Sequence, residues 1–259
     1  MHRTVLLLAS ALVYFSICIF GLAVFDAGIV ATSLVLFGIP AYMLARYSAA
    51  PAAVLSSVAI FGIGLSVLLE GIAHTYGIWY VLGVEELKLF GLIPLEVIAT
   101  SLLQILFLVL LYELLFDDGE YSEMDVSHRL ISIGTFSVAV FLLVGLHRYI
   151  LTAVFVSYSY TWIVGILIAS SFSLLVMTGS MSVRFFDRLC AFSLYASFPL
   201  LCSLYIAIVN THIVFAYTSD YLYTFQLWGT IVPIEAFLML FALPLFVATC
   251  YELYLDDAH

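Results

Sequence analysis

The chain has 259 residues, of which 65% are hydrophobic and only 9% are charged. A soluble domain is nearer half apolar and a quarter charged, so this composition is that of an integral membrane protein. With 17 acidic against 7 basic residues, the chain has no basic surface to neutralise phosphates, which excludes a nucleic-acid partner.

In chain order, eight runs approach the roughly 20 apolar residues that a spanning helix needs. They cover about residues 4–25, 29–46, 51–72, 89–116, 130–146, 160–177, 189–210 and 225–255. His2-Arg3 followed by apolar sequence imitates a secretory signal. The run continues to Phe25, however, beyond the usual h-region of about 7–15 residues, so an uncleaved first span is expected. The third run leads into polar and aromatic sequence with Glu70, His74, Tyr76, Trp79 and Tyr80. Most of the acids fall in loops and tails and read as a solvated exterior. Cys18, Cys190, Cys202 and Cys250 all lie inside apolar runs without a CxxC or Cys/His spacing; they read as small buried hydrophobes.

One motif occurs twice. Pro94-Leu95-Glu96 returns as Pro233-Ile234-Glu235, and Tyr112-Glu113 returns as Tyr251-Glu252, both at an offset of 139. Each copy ends in paired aspartates, Asp117-Asp118 and Asp256-Asp257. Weaker matches fall in the same order: His2-Arg3 with His128-Arg129, and Met43 to Tyr47 with Met181 to Phe185. The expected fold is therefore all-α and membrane-integral, with about eight transmembrane helices in two parallel four-helix repeats. Residues 1–118 would form the first membrane repeat, 119–129 an acidic connector and 130–259 the second membrane repeat. Arg3, Arg46, Arg129, Arg184 and Arg188 fall on one side of this arrangement, with Lys88 and Arg148 on the other. The positive-inside rule then places both termini in the cytoplasm, in the plasma membrane of an archaeon or bacterium.

The chemistry is expected at the duplicated motif. A proline inside a helix removes a donor and kinks it, and a carboxyl group two residues on then meets an opened backbone in apolar surroundings. Burial disfavours the charged form of a carboxyl group, and a neutral acid can donate a proton. On this reading Glu96 and Glu235 lie about 10–15 Å along their helices at 1.5 Å per residue and face each other across the bundle. The competing reading is interhelical glue. Glu70 and His74, four apart, share a helical face if the helix persists that far, as a carboxyl–imidazole pair or as part of an interfacial belt. Glu113 and Glu252 read as solvated boundary markers, and His147-Arg148 as an interface anchor. No GxGxxG, P-loop, HExxH or GxSxG context and no metal-ligand spacing is present, so neither metal nor cofactor is expected.

Glu70 with Gly77-Ile78-Trp79, then Phe90-Gly91-Leu92-Ile93-Pro94-Leu95-Glu96, duplicated as Trp228-Gly229 and Pro233-Ile234-Glu235, resembles the small integral-membrane lycopene cyclases of archaea, actinobacteria and fungi. That family consists of duplicated or heterodimeric domains, and the resemblance covers both halves. It implies a lycopene β-cyclase-like isomerase that protonates a polyene end group, closes a ring and removes a proton without redox change. Glu96 and Glu235 would be its acid and base, with Glu70 the alternative base. His74, Trp79, Pro94, Trp228 and Pro233 would line the substrate site. The family pattern is commonly Pro-x-Glu-Glu, whereas Val97 and Ala236 stand here in place of the second acid. That departure supports an alternative, a non-catalytic carotenoid- or isoprenoid-binding protein or a subunit of a larger membrane complex with a membrane-protein partner. A proton-coupled transporter ranks last. The expected partners are the lipid bilayer and a hydrophobic polyene or isoprenoid.

Overall fold

The computed structural model describes residues 2–47, 52–82, 87–116, 158–177, 183–211, 213–215 and 220–252. The connector 119–129, the fifth run, both aspartate pairs and His147-Arg148 lie outside the described residues. The described chain is mostly helical: α1 (His2–Val24), α2 (Ile29–Ser33), a π-helical segment (Leu34–Gly38), α3 (Ile39–Ala45), α4 (Ala52–Tyr76), α5 (Leu95–Leu115), α6 (Ser159–Met177), α7 (Val183–Val209) and α8 (Ile234–Cys250). Four stretches, Val58–Tyr76, Leu95–Leu115, Ser159–Val176 and Phe185–Val209, are long and apolar enough to cross a membrane. Shorter apolar helices cover Val13–Val24, Ile29–Ala45 and Ile234–Cys250. Phe20, Trp162, Ile166, Val176 and Leu194 point outward, each more than half exposed. Such an outer surface fits a lipid environment rather than water, and marks the chain as a membrane protein.

The core is built where α5 packs on α4, on the α2–α3 stretch and on α8, and where α8 packs on α6 and α7. Phe37, Leu65, Leu108, Phe192, Leu189 and Leu245 are essentially sealed there. Hydroxyl groups inside the helices are satisfied locally. Ser66, Ser171, Ser193 and Thr249 each donate to the carbonyl four residues back, the expected solution where no water is available. Pro244 inside α8 cannot donate to the carbonyl of Leu240, and the Ser197 hydroxyl of α7 fills that place at 2.9 Å.

Two of the eight runs are not helical along their whole length. Residues at the start of the fourth run form the antiparallel hairpin β2 (Lys88–Leu89) with β3 (Ile93–Pro94), and the eighth run begins as β5 (Thr224–Leu227) with β6 (Thr230–Pro233). Phe90-Gly91 and Trp228-Gly229 make the turns, with φ of 55° and 66° in the first and 47° and 82° in the second. Pro94 and Pro233 end their strands and stand at the N-caps of α5 and α8, with φ of −60° and −76°. The expected kinks are therefore corrected to helix starts. Proline's missing N–H is harmless there, because the first N–H groups of a helix have no intrahelical partner. A third antiparallel pair joins β1 (Trp79–Val81), after α4, to β4 (Ile213–Phe215), after α7, with Tyr80 opposite Val214.

Candidate functional site

The helix α4 extends to Tyr76, a turn beyond the third apolar run, so Glu70 and His74 both lie on it. Gly77 ends it in the left-handed conformation at φ +62°, and Ile78 N–H donates to the carbonyl of Ala73 at 2.8 Å, a Schellman-type stop. The chain thus folds back over the last turns of α4. Trp79 lands where its indole Nε1–H donates to Glu70 Oε2 at 3.1 Å. Ser101 of α5 donates to the other oxygen at 3.4 Å. His74 Nδ1–H donates to the Glu70 backbone carbonyl at 2.9 Å and stands 3.6 Å from its carboxyl.

Glu70 is buried and faces a cavity of about 170 Å³. Its wall has a polar side of Thr32, Ser33, Ser101 and Gln104 and an apolar side that includes Val97 and Phe215. Tyr160, at the start of α6, closes it from the other half of the chain, its ring edge-on to Trp79 with centroids 5.2 Å apart. Further along α5 lies a larger apolar cavity of about 420 Å³, lined by Tyr14, Phe15, Pro40, Phe107, Tyr195 and Phe198. Both cavities run between the α2–α3 stretch, α5 and α7.

The duplicated glutamates sit elsewhere. Glu96 and Glu235 are the second residues of α5 and α8, in the first helical turn rather than deep along the helix, where backbone dipoles favour negative charge. Glu235 is fully buried, and its Oε1 accepts from the Thr161 hydroxyl and from Leu222 N–H, both at 2.7 Å. Glu96 is half-buried. No hydrogen bond joins the two carboxyls, and Oε2 of each is buried without a hydrogen-bond partner among the described residues. Neither lines the two cavities. Trp228 is 65% exposed on the β5–β6 turn, its ring edge-on to Tyr205.

A second cluster of acids overturns the reading of Glu113 and Glu252 as solvated markers. Both are buried, and Tyr112 and Tyr251 beside them are sealed completely. The Tyr112 hydroxyl donates to Glu252, and the Tyr251 hydroxyl donates to Glu113 at 3.4 Å. The two rings meet edge-on with centroids 6.2 Å apart. The helix ends of α5 and α8 are thus joined reciprocally. A carboxyl group inside a bundle needs a donor, and the 139-residue repeat supplies a tyrosine from the opposite copy.

Sequence reading placed Glu70, His74 and Trp79 within ten residues of one another. It missed Ser101, Gln104 and Tyr160, whose polar groups carry no local pattern and are brought in by helix packing. No protein-family model, curated protein or solved structure matches the chain.

Proposed function

We propose that the protein is a membrane-embedded acid–base catalyst that closes a ring on the end group of a polyene, in the manner of a lycopene β-cyclase. The observation that carries this reading is the Glu70 carboxyl, buried yet facing a cavity whose opposite wall is apolar. Protonation of an alkene needs a positioned acid away from water and a base for the returning proton. Glu70 stands in the acid role, oriented by Trp79 and Ser101. The indole ring of Trp79 and the phenol of Tyr160 offer π faces to a carbocation. The larger apolar cavity along α5 accommodates the remainder of the polyene, and the chemistry requires no cofactor.

The architecture that belongs to this reading has eight spans in two parallel four-helix repeats, both termini cytoplasmic, in the plasma membrane of a prokaryote. Its support is the hairpin–proline–helix element present in each half, the β1–β4 pairing of equivalent strands, and the reciprocal Tyr–Glu bonds between α5 and α8. A second reading, a carotenoid- or isoprenoid-binding protein without catalysis, is favoured by Val97 and Ala236, both 3% exposed and unable to supply the family's second acid. Expression in lycopene-accumulating cells separates the two. Orange β-carotene is the expected product, and pigment that stays red assigns the protein to binding instead.

A further inference from the structure

We propose that Tyr160 carries a proton between Glu70 and Glu235, making these two carboxyls, rather than Glu96 and Glu235, the acid–base pair of a single site. The proposal rests on the cyclase reading, in which every turnover leaves the acid deprotonated and the base protonated. Such a cycle, in a cavity closed to water, requires a route that brings the proton back.

Tyr160 is the residue on which the two carboxyl environments meet. It is 4% exposed and lines the Glu70 cavity. On one side its ring packs on Trp79, the donor to Glu70. On the other it packs on Tyr221 with centroids 6.5 Å apart, and each tyrosine is followed by a residue that binds Glu235: Thr161 through its hydroxyl, Leu222 through its backbone N–H. Both carboxyls act electrostatically on the Tyr160 hydroxyl. The neighbouring donors are committed: Thr161 and Leu222 N–H to Glu235 Oε1, Tyr221 to the Ile78 carbonyl at 2.6 Å. The Tyr160 hydroxyl makes no hydrogen bond with a described residue, and Glu235 Oε2 is buried without a partner among them.

The two carboxyls differ in a way that assigns roles. Glu235 Oε1 takes two short donors in the first turn of α8, and both these bonds and the helix dipole stabilise a negative charge. Glu70 has two longer donors and no helix N-terminus beside it. The cycle therefore starts with a Glu70 carboxylic acid and a Glu235 carboxylate. Glu70 gives its proton to the terminal alkene carbon, forming a C–H bond, and the resulting cation is captured by the π pair of a second double bond to close the ring. A ring C–H bond then breaks and its electron pair becomes the ring double bond. The released proton goes to the Tyr160 oxygen as the Tyr160 hydroxyl proton passes to Glu235 Oε2. Return runs the other way: Glu235 gives the proton to Tyr160, and the Tyr160 proton passes to Glu70. No proton or electron is gained or lost.

The test is lycopene turnover in D₂O by the full chain in lipid vesicles, wild type against Tyr160→Phe. Phenylalanine keeps the ring that packs on Trp79 and Tyr221 while removing only the hydroxyl. Over many turnovers the wild type is expected to retain substrate hydrogen, with well under one deuterium per ring. Tyr160→Phe is expected to turn over about 10²-fold more slowly and to incorporate one deuterium per ring, because the return proton must come from solvent. One full deuterium per ring in the wild type, or unchanged rate and retention in the variant, overturns the relay. If the wild type forms no ring, the cyclase reading fails, and infrared spectra of the same vesicles decide the relay separately. A Glu235 carboxyl band, identified by its loss in Glu235→Gln, that shifts in Glu70→Gln only while Tyr160 is present supports it. A band indifferent to Glu70→Gln overturns it.

Discussion

Two places in this bundle bury carboxyl groups, and they do so differently. At the ends of α5 and α8, Glu113 and Glu252 are each taken up by a tyrosine from the opposite copy of the repeat motif. At the end of α4, Glu70 is oriented by Trp79 and Ser101 yet faces a cavity. The first arrangement turns acids toward partners within the protein and joins two helices. The second holds an acid toward space that a ligand can enter. Burial alone does not separate the two, since all three glutamates are under 10% exposed; what the carboxyl faces does.

The largest effect is expected from Glu70→Gln. Glutamine keeps the shape and the bonds to Trp79 and Ser101 but delivers no proton, so ring formation is expected to fall by about 10²–10⁴-fold with the thermal melt unchanged. A stable Glu70→Gln variant that still forms rings would erase the difference between the two acid sites.

Next comes the other side of the comparison. Glu252→Ala leaves the sealed Tyr112 hydroxyl without this acceptor, a loss expected to cost about 1–3 kcal/mol of stability. A double-mutant cycle of Tyr112→Phe with Glu252→Ala should return a coupling of about 0.5–3 kcal/mol. Product per folded molecule is expected to stay at the wild-type level. If Glu252→Ala melts like the wild type, the clamp carries no stability and the contrast collapses.

How much of this was legible from sequence follows from the range of the interactions. Composition and apolar runs indicate membrane helices directly, because hydrocarbon burial is a property of the run itself. The helix boundaries were less legible: counting apolar residues joined β2–β3 to α5 and β5–β6 to α8, although Phe90-Gly91 and Trp228-Gly229 are turn signals and Pro94 and Pro233 are start signals. Glu113 and Glu252 were misread for a different reason. Beside Asp117-Asp118 and Asp256-Asp257 they look solvated, and only packing of α5 on α8 reveals the tyrosines that receive them. Tyr160 carries no local sign of its place, since its neighbours Trp79 and Tyr221 come from distant segments.

Smaller effects sharpen the account of how Trp79 reaches Glu70. Gly77→Ala places a side chain at φ +62° and a Cβ 2.9 Å from the Tyr80 hydroxyl. The strain is expected to cost about 1–2 kcal/mol and to lower turnover several-fold by displacing Trp79, although no cavity residue changes. Equal loss of stability with full turnover would show that Trp79 need not be held by that turn. The smallest effect is expected from Trp228→Ala, whose ring is 65% exposed: turnover and melting temperature close to wild type, against a clear loss for Trp79→Ala.

The most direct measurement is pigment composition in lycopene-accumulating cells producing the wild type, Glu70→Gln or Glu113→Gln, normalised to folded protein in the membrane fraction. The account predicts cyclised pigment from the wild type and from Glu113→Gln, and unchanged lycopene from Glu70→Gln. Cyclised pigment from Glu70→Gln, or its loss in Glu113→Gln alone, would contradict it.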